Sequence, residues 1–102
     1  MDRIALLKQV LEQNPTDVLA RYGLAMEYAR DGRLETALEE FQTLLRAHPD
    51  YTAAYFQAAQ ALARADRSDD ARRWLRDGMA CAVRVGDQHA KSEMAAMLEE
   101  LG

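Results

Sequence analysis

The feature that most restricts this chain is the spacing of its only two prolines, Pro15 and Pro49, which lie 34 residues apart. Proline lacks the amide a helix interior needs, so each marks a break between helices, and a fixed offset of this size predicts an internal repeat. Sliding residues 18–51 onto 52–85 pairs Ala20 with Ala54, Ala25 with Ala59, Ala29 with Ala63 and Ala37 with Ala71. The same shift pairs Arg30 with Arg64 and Arg33 with Arg67. In an alanine-rich chain the stronger evidence is agreement in type: Tyr22 with Phe56, Glu35 with Asp69, Phe41 with Leu75, Leu45 with Met79.

Apolar residues recur at helical spacing throughout and nothing alternates with period two, which predicts an all-α fold of six helices. The first spans about residues 2–13, with Ile4, Leu6, Leu7, Val10 and Leu11 as its apolar stripe. The second spans about 17–30, with Thr16 as the expected N-cap and a stop near Asp31-Gly32. The third spans about 34–47 and halts at Pro49. The fourth spans about 51–65, after Asp50. The fifth starts after Ser68, with Asp69 and Asp70 favouring its N-terminus, and no proline interrupts it before Gly86. The sixth spans about 88–101 after Asp87, with Ala90, Met94, Met97, Leu98 and Leu101 on one stripe.

Composition narrows the function classes. At 102 residues the chain has the length of one domain, and 49% hydrophobic with 29% charged residues is the balance of a folded protein. The net charge of −4 argues against a nucleic-acid partner held by bulk charge. Arg64, Arg67, Arg72, Arg73 and Arg76 are interleaved with Asp66, Asp69, Asp70 and Asp77, the pattern of a solvated, charge-laced face. No segment has the length and apolarity of a membrane span, and residues 1–13 lack the apolar core of a targeting segment, so a cytoplasmic location and no membrane partner are expected. Cys81 is the sole cysteine, expected as a small core residue. His48 and His89 are expected as solvated surface groups, and no carboxylate pair, nucleophile, metal-ligand cluster or glycine-rich phosphate loop stands out. The expectation is a protein that is not an enzyme and needs no metal or cofactor.

Two helix–turn–helix units at this period, with small residues at fixed places, resemble the tetratricopeptide repeat. The first unit carries the pattern in Leu24, Ala25, Tyr28, Gly32, Ala37, Phe41, Leu44 and Pro49. The second carries it in Ala58, Ala59, Leu62, Asp66, Ala71, Leu75, Gly78 and Val83. Small Ala25 and Ala37 would let antiparallel helices approach while Tyr28 and Phe41 fill the space beside them. Arg21 stands where the family usually has a large aromatic, a feature Tyr55 keeps, while Asp66 replaces the turn glycine and Val83 the closing proline. The resemblance implies a short right-handed α-solenoid in a single domain: a leading helix over 1–14, a repeat over 16–50, a degenerate repeat over 51–86 and a C-terminal capping helix over 87–102.

The resemblance also implies a function. Such modules are protein-interaction adaptors or scaffolds, and the first helix of each pair lines a concave groove. The groove residues implied here are Leu19, Tyr22, Met26 and Arg30 on one helix, with Phe56, Gln60 and Arg64 on the next. One subtype grips a peptide's terminal carboxylate with Lys and Asn at these places, and here Tyr22, Met26, Phe56 and Gln60 occupy them. An apolar or aromatic segment therefore suits the groove, with Arg30 and Arg64 available to flanking acidic groups. The alternative is a structural element that self-associates, as a homodimer, through the apolar stripe of a terminal helix.

Overall fold

The computed structural model describes residues 2–102; Met1, part of the expected leading segment, lies outside the described residues. Among the described residues six helices follow in order: α1 Arg3–Gln13, α2 Val18–Arg30, α3 Leu34–Ala47, α4 Thr52–Arg64, α5 Ser68–Val85 and α6 Gln88–Leu101. No strand occurs among them. The chain divides into two compact units, Met1–His48 and Pro49–Gly102. In the first, α2 packs against both α1 and α3; in the second, α4, α5 and α6 pack against one another.

Aspartates open three of the helices by accepting a bond from a first-turn amide: Asp2 from Ala5, Asp17 from Ala20 and Asp87 from Ala90, at 2.8, 2.9 and 3.0 Å. The expected cap Thr16 is thus displaced by its neighbour. Asp17 takes the capping position, and the Thr16 carbonyl instead accepts a bond from His48 Nε2 at 3.0 Å. His48 is accordingly half-buried, not freely solvated, and since a carbonyl only accepts, this nitrogen carries the proton. Helix α5 includes Ser68, with Arg67 at its cap position.

The 34-residue shift is written into the turns. Arg33 N bonds to Tyr28 O and Arg67 N to Leu62 O, both at 2.9 Å. Gly32 N to Ala29 O and Asp66 N to Ala63 O are both 3.1 Å. Gly32 has φ +77°, and Asp66, at the equivalent place, has φ +62°. The turn dictates a left-handed backbone whichever residue supplies it, and aspartate is among the few side chains that tolerate it. Burial repeats too. Leu24, Ala25, Tyr28, Ala37, Phe41 and Leu44 are buried in the first unit, and Ala58, Ala59, Leu62, Ala71, Leu75 and Gly78 in the second. Cys81 joins the second core as expected; its Sγ donates to the Pro49 carbonyl at 3.3 Å, and burial pushes the thiol above its ordinary range.

At one matched pair of places the units exchange one kind of cross-helix contact for another. In the first, Arg21 on α2 bonds Glu40 on α3 at 2.8 Å and reaches the Pro15 carbonyl at 3.1 Å. In the second, the same places hold Tyr55 and Trp74, with ring centroids 6.1 Å apart. An ion pair and an aromatic pair thus perform the same cross-helix tie. The larger aromatic pair is matched by a smaller neighbour: Gly78 stands where the first unit has Leu44. A Cβ built on Gly78 would fall 2.6 Å from Tyr55 Cβ and 2.5 Å from Met94 Sδ, so glycine is what lets α4 and α6 approach α5. Lacking a proline at position 83, α5 runs on to Val85 and stops where Gly86 takes φ +74°.

Candidate functional site

In the unit Met1–His48, the expected groove residues share one face of α2 but differ in exposure. Leu19 is 71% exposed. Tyr22 and Met26 are half-buried, and the Tyr22 ring meets Phe41 edge-on at 6.4 Å between centroids. Arg30, exposed at the end of α2, lies 3.4 Å from Glu27, which also pairs with Arg3 at 2.7 Å. The guanidinium expected to meet acidic groups thus already has a carboxylate beside it. The same end of α2 carries Tyr28, whose ring has the Arg33 guanidinium 4.6 Å from its centroid and Lys8 Nζ at 5.9 Å.

In the unit Pro49–Gly102, Phe56 and Gln60 are half-buried and Arg64 is exposed. Of these, Phe56 lines a cleft of about 250 Å³ between α4 and α6; Gln60 and Arg64 do not. Thr52, Ala53 and Gln57 complete the α4 wall, and His89, Ala90 and Glu93 of α6, with its cap Asp87, form the other. The cleft therefore opens toward the beginnings of the two helices, one turn or more from the end that Arg64 marks.

The cleft's geometry is set by a link between the two helix starts. The Thr52 hydroxyl donates to Asp87 Oδ2 at 3.0 Å while the Ala90 amide donates to Oδ1 at 3.0 Å. These two bonds, the amide's first, hold the Asp87 carboxyl below its ordinary value of 3.8. Farther along α6, His89 Nε2 and Glu93 Oε1 are 3.4 Å apart. Asp87 was legible only as a helix cap, because its bond to Thr52 spans 35 residues and exists only once α4 and α6 meet. Glu93 carried no signal beyond a polar helix face.

The outer faces are charged and paired. Three arginines at the start of α5 pair with aspartates three residues away: Arg67, at the cap, and Arg73 with Asp70, and Arg72 with Asp69. Arg72 also donates to the Leu101 and Gly102 carbonyls, at 2.9 and 3.1 Å, fixing the end of α6. On α1, Leu6 and Val10 lie one turn apart and are 49% and 43% exposed. No described helix is long and apolar enough to cross a membrane.

A family model described as tetratricopeptide repeat matches residues 28–99, and a second of the same description matches residues 1–52. The TPR repeat-containing protein PA0015 of Pseudomonas aeruginosa is 30% identical over 95 residues, covering 93% of this chain and 90% of that protein. Among solved structures, protein BPP2914 of Bordetella parapertussis superposes with a TM-score of 0.84 at 26% identity, over 99% of this chain and 88% of that one. A tetratricopeptide repeat domain protein from Salinibacter ruber superposes with a TM-score of 0.77 at 31% identity, over 86% and 89% of the two chains.

Proposed function

The chain belongs to the tetratricopeptide-repeat family, and on that premise we propose that it is an adaptor or scaffold that holds a peptide segment or protein partner on the first-helix faces of its repeats. The family's general role, protein–protein interaction, is the coarse part of this reading. The finer part is the assignment of Leu19, Tyr22 and Met26 on α2 and of Phe56 and Gln60 on α4 as contact residues.

One observation carries it. Leu24, Tyr28 and Phe41 fill one core, and Leu62, Leu75 and Met94 the other, yet large apolar side chains remain at the surface of both first helices. Leu19 is 71% exposed and Tyr22, Met26 and Phe56 are only half-buried. Aromatic and Met side chains in such positions are those that anchor interfaces most often. The test is capture of partners by the immobilised chain, comparing wild type with Leu19→Ser/Phe56→Ala. Tyr22→Ala is a poorer probe because its ring also packs on Phe41. The expected result is loss of specific partners with unchanged helical content. Unaltered capture by a folded variant would refute the assignment.

A second reading is favoured by the exposed pair Leu6 and Val10 on α1: two copies associate through that stripe. Light scattering on wild type and Leu6→Lys/Val10→Lys decides it, with a dimer mass in wild type alone as the supporting outcome and a monomer in both as the refuting one.

A further inference from the structure

We propose that the cleft between α4 and α6 seats a lysine or arginine side chain of the partner segment, its stem on Phe56 and its cation between Asp87 and Glu93; the inference rests on the interaction reading above. The cleft's makeup carries it. Its apolar surface comes from Phe56, Ala53 and Ala90, and it holds two carboxylates, with His89 as the other titratable group and neither Lys nor Arg among its lining residues. At about 250 Å³ it has room for one long side chain.

The occupant follows from charge complementarity. Asp87 is held in place by Thr52 and the Ala90 amide, which use one lone pair on each oxygen and leave each oxygen capacity to accept another bond. Glu93 has one oxygen near His89 and a second open to a ligand. An apolar side chain entering here would strip water from two carboxylates and return no counter-charge, which is costly. An acidic side chain would add repulsion. A long cationic side chain satisfies both halves of the site: its methylenes cover the ring and alanines, and its head meets the carboxylates. This assigns the second unit a preference opposite to the one expected from Arg64, which does not line the cleft.

The experiment is a titration of the isotope-labelled full chain with short acetylated polyalanine peptides whose central residue is Arg, Lys, norleucine or Glu, read from backbone amide shifts. The Arg and Lys peptides should give saturable shifts concentrated in residues 52–57 and 87–93. The norleucine peptide, which keeps the stem without the charge, should bind more weakly by about five-fold, and the Glu peptide should give no saturable shift. Glu93→Gln lies on an exposed helix face and should weaken the Arg peptide about three-fold while leaving the norleucine peptide unchanged. Equal binding of the norleucine and Arg peptides, or an Arg affinity untouched by Glu93→Gln, overturns the proposal. So do Arg-peptide shifts that are absent or scattered over the surface. Partner capture by Leu19→Ser alone, which leaves every residue of the cleft intact, is read separately, so a wrong cation assignment and a wrong interaction assignment are told apart.

Discussion

The same substitution, glycine to alanine inside a helix, should have opposite effects at two places in this chain. Ala is favoured over Gly in a helix interior by about 0.8–1 kcal/mol, and it also reduces the freedom of the unfolded chain. At Gly23 in α2 that gain is unopposed: a Cβ there would lie 3.4 and 3.5 Å from the Leu7 methyls, an ordinary contact with α1. Gly23→Ala should therefore stabilise the protein by about 0.5–1 kcal/mol. At Gly78 the added carbon would fall 2.5 Å from Met94 Sδ and 2.6 Å from Tyr55 Cβ. The Met94 thioether can swing aside, but Tyr55 Cβ is one bond from the α4 backbone, so α4 and α5 must move apart. Overpacking of this kind costs about 1–3 kcal/mol, and the gap it forces open around buried Leu75 and Met94 puts the cost in the upper part of that range. Net of the propensity gain, Gly78→Ala should destabilise by about 1–2 kcal/mol. Urea unfolding followed by helical circular dichroism, together with Trp74 fluorescence for the unit that contains Gly78, reads both. The midpoint should rise for Gly23→Ala and fall for Gly78→Ala with the slopes unchanged. Midpoints that move in the same direction would mean that backbone approach does not decide residue choice at Gly78.

The turn residues give a second matched pair. Asp66→Gly relieves a left-handed aspartate at φ +62° and should stabilise by up to about 1 kcal/mol, whereas Gly32→Ala places a Cβ at φ +77° and should cost about 1–2 kcal/mol; thermal melts of the two variants check both signs. The Thr52–Asp87 link should appear in acid. Because the folded Asp87 carboxyl titrates below its ordinary value, its contribution is complete above about pH 4 and is lost as pH falls through the depressed value. Thr52→Val should thus lower stability at neutral pH and converge with wild type in strong acid, a difference visible in urea midpoints taken down the pH scale.

Most of the helical framework was legible because local chemistry and the long-range repeat coincide. Pro15 and Pro49 break the chain, Gly32 and Gly86 supply left-handed turns, and Asp87 starts α6 where the apolar stripe resumes. The core residues followed from the same period, since Ala25, Tyr28, Ala37 and Phe41 are all buried. Misreadings arose where two neighbours could do one job. Thr16 and Asp17 are both good caps; the Asp17 carboxylate takes the Ala20 amide, while the Thr16 hydroxyl turns back to Asn14 Oδ1.

The candidate site was less legible for a related reason. Family resemblance points to the faces of the first helices, and it points to them evenly along their length. What makes one stretch of such a face a cleft is the neighbour that walls it, and for Phe56 that neighbour is the start of α6. Its position is fixed by contacts no local pattern encodes: the missing side chain at Gly78, the Thr52 bond to Asp87, and Arg72 holding the last carbonyls of α6. Gln60 and Arg64 continue the Phe56 face in sequence, but the cleft is walled at the opposite end of α4, so neither lines it. The exchange of Arg21–Glu40 for Tyr55–Trp74 acts in the same way. Each pair ties two helices at the same places in the repeat, and in the second unit the glycine at position 78 lets Tyr55 Cβ and Met94 Sδ come close to α5. Within the second unit the absent side chain at Gly78 lets Tyr55 of α4 and Met94 of α6 close on α5 together, and that approach sets the start of α6 beside Phe56.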